Sequence, residues 1–234
     1  WLRATGAVAG VNGGFFGQTV GDDHRVIVGL LKRSGRVRVA APRYRARGSR
    51  QQYARSALGF TRRGRPRMAW VTSRAGEPQA LVRHAQPQFT DPGEPWEVNQ
   101  AVACGPRLIR AGEEAVTYRE ERLASPGPLP RTFVGYGGPE GRPSRLVLCA
   151  ADGMEFEECA RFLTAYFRDQ HGMSCQEGMC LDGGASTQAA WKQDGGRSAE
   201  VEAAPNSGTP VPTAILVHYD PTTSARGLPS GSTR

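Results

Sequence analysis

Cys180-Leu181-Asp182-Gly183-Gly184-Ala185-Ser186-Thr187 closes an apolar run on one carboxylate, two glycines and two hydroxyl residues. It reads as a buried strand that delivers Asp182 to its end and then turns. Glycine carries no side chain, so the backbone at Gly183 and Gly184 can approach a ligand closely. Backbone N–H groups, with the Ser186 and Thr187 hydroxyls, suit an anion there. The plainer alternative is a Gly-Gly turn with Ser186 or Thr187 capping whatever follows.

Working outward, the chain reads as short strands with one helix. Upstream, Phe156, Cys159, Ala160, Leu163, Tyr166 and Phe167 fall at three-and-four spacing and predict a helix over 155–169. Asp152 followed by Glu155 has the form of a capping box at its start. His171 follows that helix and suits its C-terminal dipole. Residues 131–136 and 144–151 predict a paired hairpin. Residues 101–109 read as strand, turn, strand, and further strands are expected near 57–61 and 68–72. Residues 75–98 show little regular pattern, and 119–130 read as a Pro-rich loop. At the front, residues 1–32 read as a strand, the Gly-rich turn Asn12-Gly13-Gly14, and a second strand. Residues 213–219 predict a last, central strand. The segment 221–234, rich in Pro, Thr, Ser and Gly, reads as a disordered tail. The expected class is α+β, with a mixed, largely antiparallel sheet core and few helices, in a single domain over 1–220.

Composition agrees with a strand-rich fold. The 234 residues include 30 Gly and 17 Pro, which favours strands and turns over a helical bundle. No run of about 18 apolar residues is present to suggest a membrane-spanning helix. The net charge is +8, and of 30 basic residues only Lys32 and Lys192 are lysine. Arginine suits phosphate and acidic polymers. The densest cluster, Arg33 to Arg67, is broken by Gly, Pro and Ser, and reads as a solvated face or long loop without a nucleic-acid motif. The cysteine count of five leaves at least one unpaired. Cys175 and Cys180 are close enough in sequence to allow a small disulfide loop in an oxidising compartment, and the pairing of the five cysteines is left open. Cys159 lies on the helix's apolar stripe and reads as core. A zinc site lacks ligands, since His171 alone stands near those two cysteines.

Two distant segments share one design: Asn12-Gly13-Gly14 and Asp182-Gly183-Gly184 each place a polar side chain before paired glycines. Arg131-Thr132 begins a third strand, and Asp152-Gly153 ends a fourth. Strand ends that meet on one rim of a sheet build sites. This set offers two carboxylates, an amide and a guanidinium, an inventory suited to a sugar carrying a phosphate. Asn12, Asp152 and Asp182 also offer oxygen ligands for Ca²⁺, although no spacing requires the ion; no cofactor or resident metal is expected.

In order along the chain stand Asn-Gly-Gly-Phe-Phe, Cys-Gly-Pro-Arg-Leu-Ile, Pro-Arg-Thr-Phe-Val-Gly, Asp-Gly before a helix, Leu-Asp-Gly-Gly-Ala-Ser-Thr and Thr-Pro-Val-Pro-Thr-Ala-Ile-Leu-Val. This ordered set resembles the phosphodiester glycosidase family, which includes the lysosomal enzyme that uncovers mannose-phosphate tags. The resemblance spans about residues 4 to 219. It implies a hydrolase that cleaves the C1–O bond of a sugar-1-phosphodiester in a glycan or cell-surface polymer. Asp182, Asp152 and Asn12 are then the catalytic candidates. Arg131, Thr132, Gly13, Gly14, Gly183, Gly184, Ser186 and Thr187 are candidates for binding substrate. A carbohydrate partner is expected, nucleic acid is not, and an extracytoplasmic location, periplasmic or secreted, is expected. The chain departs from the family at Ala185, where a third glycine is usual, at Met154, where arginine is common, and around Pro212. A non-catalytic glycan-binding module on the same scaffold is therefore the alternative reading.

Overall fold

In the computed structural model the described residues are 2–18, 24–45, 51–124, 127–138, 143–192, 199–203 and 209–219. About half of the chain is strand, and one long helix stands beside it. Every strand pairing among the described residues is antiparallel, as the expected largely antiparallel sheet core with few helices requires. The expected tail at 221–234 lies outside the described residues.

Three sheets position the site. The largest has seven strands, in the order Glu94–Pro95, Glu77–His84, Pro66–Arg74, Arg55–Phe60, Gln100–Cys104, Leu31–Arg33 and Arg36–Val39. A five-stranded sheet runs Glu113–Glu114, Arg107–Arg110, Cys175–Cys180, Leu129–Gly137, Arg145–Met154. The third joins Ala199–Ala203, Gln188–Lys192, Ala9–Asn12 and Ala214–Val217.

Period-two alternation decides the layering. On the five-stranded sheet, Val134, Tyr136 and Met179 face the large sheet's Leu58, Met68, Val102 and Cys104 in one buried cluster. Their neighbours Phe133, Cys175 and Cys180 face the other way, onto helix residues Phe156, Cys159, Ala160, Leu163 and Phe167. The opposite face of the large sheet buries Ala57, Val71 and Ala103 with Trp96 and Val98. The Leu129–Gly137 strand is thus covered on both sides, which explains its unbroken burial from Arg131 to Gly137.

The helix runs Phe156–His171, starting one residue later and ending two residues later than the periodicity gives. Its N-cap is Glu155, whose carboxyl and that of Glu158 form a reciprocal capping box; Gly172 closes the far end in left-handed geometry. Asp152 is therefore not the cap but an exposed residue of the Arg145–Met154 strand. The helix sits close because the sheet offers it glycines. A Cβ at Gly135 would lie 2.9 Å from Leu163 Cδ2, and one at Gly178 would lie 2.8 Å from Leu163 Cδ1.

Three expectations change. Residues 75–98 hold the Glu77–His84 strand, an eight-residue partner of Pro66–Arg74. Its first three residues are exposed, which hides any alternation in that half. The Arg-rich region is also less loop than expected, since Leu31–Arg33, Arg36–Val39 and Arg55–Phe60 are ladder strands. Finally, Cys175 and Cys180 cannot pair. They lie on one strand opposite Gly137 and Phe133, four residues apart on the partner. At ~3.3 Å per residue that is ~13 Å, well beyond the ~7 Å limit for a disulfide. All five cysteines are free thiols, and Cys159 is fully buried core, as its place on the stripe implies.

Candidate active site

Asn12 ends the Ala9–Asn12 strand and is buried. Its Nδ2 donates to the Asp182 carbonyl at 2.7 Å. Its Oδ1 accepts from the Thr132 hydroxyl at 2.5 Å and from the Gln188 N–H at 3.0 Å. One amide therefore ties the first strand to the five-stranded sheet, the Asp182 turn and the Gln188–Lys192 strand. Both acceptor sites of the amide oxygen are filled from within the protein, so Asn12 orients Asp182 through its backbone. Asn12→Ala leaves the Thr132 and Gln188 donors without their acceptor and is expected to cost about 2–4 kcal/mol. Urea unfolding measures this, and a midpoint equal to wild type would show the amide to be dispensable.

The adjoining glycines are bare for the protein's own packing. The N–H of Gly13 donates to the Thr213 carbonyl at 2.8 Å, and that of Gly14 donates to the Thr213 hydroxyl at 3.1 Å. A Cβ would lie 2.4 Å from Thr213 Oγ1 at Gly13, and 2.2 Å from the Ala103 carbonyl oxygen at Gly14. The Gly13 carbonyl in turn accepts from the Asp182 N–H at 3.0 Å. At Gly183 the neighbour is the Pro130 carbonyl, 2.9 Å from a Cβ. Gly184 differs: its φ is +60°, and a Cβ there would meet nothing within 4 Å. The open side of the turn is at Gly184, beside the exposed Ala185 methyl.

Asp182 itself is half-buried. Burial raises its carboxyl above the ordinary aspartate range, against the opposing pull of hydrogen bonds from the Ser186 hydroxyl and the Gly183 N–H. The Gly183 bond is 3.1 Å to Oδ1. The Ser186 and Thr187 N–H groups close the short 3-10 turn onto the Gly183 and Gly184 carbonyls, so they are spent inside it. The Thr187 hydroxyl is buried and has no partner among the described residues. Beneath the turn lies the fully buried Cys104 thiol; burial first, and then the charge of Asp182, pushes it well above its usual range.

Arg131 is buried and braced. Its Nε donates to the Met154 carbonyl and its Nη2 to the Gly127 carbonyl, each at 3.0 Å. The guanidinium carbon lies 4.0 Å from the centre of the Phe156 ring. Nη1 lies toward Gly183, 3.7 Å from where a Cβ on that residue would sit. Because the anchor at residue 154 is a backbone carbonyl, methionine serves there.

Asn12, Arg131, Thr132, Asp182, Gly183 and Ser186 thus come together. Asp152 does not join them: it lies on the strand flanking Leu129–Gly137 on one side, whereas Asp182 follows the strand flanking it on the other. Two strand spacings, ~10 Å, separate those neighbours. A Ca²⁺ cage of Asn12, Asp152 and Asp182 does not fit this arrangement, because the Asn12 oxygen is already filled. Among the described residues no group of three His, Cys, Asp or Glu could hold a metal ion.

Three contributors escape the sequence. Thr213 fastens Gly13 and Gly14, and Cys104 floors Asp182. Glu121, fully buried, receives hydrogen bonds from the Ser56 N–H and hydroxyl, the Trp70 indole, the Arg107 N–H and the Thr117 hydroxyl. It braces the Cys104–Arg107 turn, which exchanges backbone hydrogen bonds with Cys180. Thr213 stood inside a recognisable motif, but Glu121 sits among unpatterned turn residues that give no signal.

Comparison with known proteins bears on the whole of this arrangement. No curated protein matches the chain. Its fold is similar to that of a hypothetical protein from Synechocystis, at 13% identity and a TM-score of 0.51, over 92% of this chain and 52% of that one. It is similar also to a protein of Burkholderia pseudomallei K96243 that bears the name "Putative exported protein", at 14% identity and a TM-score of 0.51, over 92% of this chain and 67% of that one. At such identities the likeness is one of fold, and the chain spans about half the length of the Synechocystis protein. The sequence model of the phosphodiester glycosidases matches residues 5–218. That span takes in every site residue from Asn12 to Thr213, and the chain belongs to the phosphodiester glycosidase family.

Proposed function

We propose that the chain hydrolyses the sugar C1–O bond of a sugar-1-phosphodiester in a glycan or cell-surface polymer. The observation that carries this is a half-buried carboxyl, Asp182, fixed through its backbone by Asn12 and set beside a braced guanidinium. The leaving group is a phosphate monoester, whose second pKa is about 6. It departs without the strong general acid that an ordinary glycoside requires, so one carboxylate can serve. Asp182 acts as base toward water or stabilises the oxocarbenium-like carbon. The Nη1 corner of Arg131 meets the phosphate, because its Nε and Nη2 are held by carbonyls. Ser186 holds the Asp182 carboxyl, and Thr132 holds Asn12.

Such a substrate lies outside the cytoplasm, in keeping with the name of the Burkholderia neighbour. No described helix is long and apolar enough to cross a membrane.

The direct test is hydrolysis of a sugar-1-phosphodiester in H₂¹⁸O. Label is expected in the released sugar, with the phosphate monoester unlabelled. Label in the phosphate would mean P–O cleavage and would overturn the reading. Saturable binding with no sugar released would favour the non-catalytic module.

A further inference from the structure

The Arg-rich stretch from Arg33 to Arg67 gathers its charge on one rim of the large sheet. The turn Ser34-Gly35 joins Leu31–Arg33 to Arg36–Val39, with Arg33 opposite Arg36. The turn 61–65 joins Arg55–Phe60 to Pro66–Arg74. The strand Gln100–Cys104 lies between these two hairpins. Asn99, just before it, ties the hairpins together. Its carbonyl accepts from the Gly35 N–H at 2.8 Å, and its N–H donates to the Phe60 carbonyl at 2.6 Å. The two turns therefore share a rim and stand about three strand spacings apart, ~14 Å.

Both turns are held firmly. Ser34 and Gly35 have positive φ, 51° and 78°, as a tight two-residue hairpin loop requires. In the other turn the Thr61 carbonyl accepts from the Gly64 N–H at 3.0 Å, and its hydroxyl accepts from the Arg65 N–H at 3.2 Å. Together they present Arg33, Arg36, Arg62, Arg63 and Arg65, all exposed. None of the five is in an ion pair or over an aromatic ring among the described residues. Arginines elsewhere do find such partners: Arg83 has Glu94, Arg107 has Glu177 and Arg131 has the Phe156 ring. Glu97, two residues before Asn99, is exposed and pairs with none of the five. Like charges this close repel, and an anion bridging them removes that cost.

A guanidinium forks onto two oxygens of one phosphate. A single phosphate reaches one turn, whereas a row of them reaches both. Neither turn contains an aromatic residue on which a nucleic-acid base could stack. The rim thus suits repeated negative charge without bases. We propose that it is a docking surface for a linear polymer whose backbone repeats a phosphodiester. The strand Gln100–Cys104 connects this rim to the floor of the Asp182 site, since Cys104 is four residues, ~13 Å, further along. One extended chain is long enough to lie on the rim and enter that site. That the docked polymer is also the substrate rests on the reading given for Asp182; the docking itself does not.

The probe is fluorescently labelled poly(glycerol phosphate). It has the charged backbone but no glycosidic bond, so the wild-type protein is used and turnover plays no part. Fluorescence anisotropy is expected to show saturable binding at low salt. With about three phosphates engaged, affinity should fall ~20-fold from 50 to 200 mM NaCl. Arg33→Gln with Arg36→Gln, Arg62→Gln, Arg63→Gln and Arg65→Gln should weaken binding ~tenfold or more, flatten the salt dependence and leave the melting temperature unchanged. A control removes five exposed arginines elsewhere: Arg110→Gln, Arg119→Gln, Arg122→Gln, Arg161→Gln and Arg168→Gln. Salt screens such scattered charges, so the control should weaken binding by less than about threefold. No binding by wild type at low salt overturns the proposal. An equal loss in both variants overturns it too, because net charge would then be the whole cause. An oligodeoxynucleotide with as many phosphates is expected to compete no better than unlabelled polymer. Tighter binding of the oligonucleotide would make the rim a nucleic-acid surface and overturn the proposal equally. Failure of sugar release in the ¹⁸O experiment leaves all these outcomes intact.

Discussion

Asp182→Asn is expected to lower kcat by ~10²–10⁴-fold, the usual contribution of one positioned acid–base group, while the protein stays folded. The amide keeps the size and planarity of the carboxyl but cannot take a proton from water or carry negative charge toward the sugar carbon. Stability should move the other way. Burial raises the Asp182 carboxyl, so folding through this group takes up a proton. Its contribution is favourable in acid and declines as pH rises from the ordinary aspartate value to the raised one. At neutral pH the ionised group is a burden on the fold that asparagine removes, so the variant's melting temperature should equal or exceed that of wild type. In the wild type, the same raised value sets the acid limb of the kcat/KM profile above the normal aspartate range. Full turnover in Asp182→Asn would end the catalytic assignment. A fall in melting temperature would end the account of its burial.

Glu121→Ala should be the most damaging change to the fold. Five donors converge on this fully buried carboxylate, from Ser56 twice, Trp70, Arg107 and Thr117. Each buried donor left without an acceptor costs about 1–3 kcal/mol, and domains have only about 5–15 kcal/mol to lose. The alanine variant is expected not to fold at ambient temperature. Glu121→Gln keeps one acceptor oxygen but points an N–H₂ at donors, and is expected to cost about 2–4 kcal/mol. Far-UV circular dichroism and urea titration measure both. An alanine variant with the wild-type midpoint would show that the donors find other partners.

The sequence shows the site's ingredients more clearly than the reason for them. Asp182 at a strand end, the hairpin at 131–151 and the helix were legible because each has a local period or a local punctuation mark. Asn12 was legible as a candidate, whereas its ties to Thr132 and Gln188 were not, because those partners are over a hundred residues away. The paired glycines suggested an approaching ligand, whereas at Gly13 and Gly14 the approaching atoms are those of Thr213 and Ala103. The two explanations look identical in sequence, since both require only a missing Cβ. Asp152 and Glu155 show the same ambiguity at a helix start. The box needs an acid three residues before another; Glu155 with Glu158 satisfies this as Asp152 with Glu155 does, and only backbone geometry chooses.

The clasp of Thr213 on Gly13 and Gly14 also sets a timetable. The strand bearing Asn12 pairs with Ala214–Val217, nearly the whole described chain away. Contacts of such separation bear the full entropy of closing the intervening chain, and they form late. Asp182 hangs from Gly13 and Asn12, so its surroundings are completed when the last strand arrives. A nascent chain still lacking residue 213 carries every catalytic candidate and yet has no working centre. Activity should therefore appear abruptly, with the stretch that bears Thr213, rather than grow as the sheets assemble.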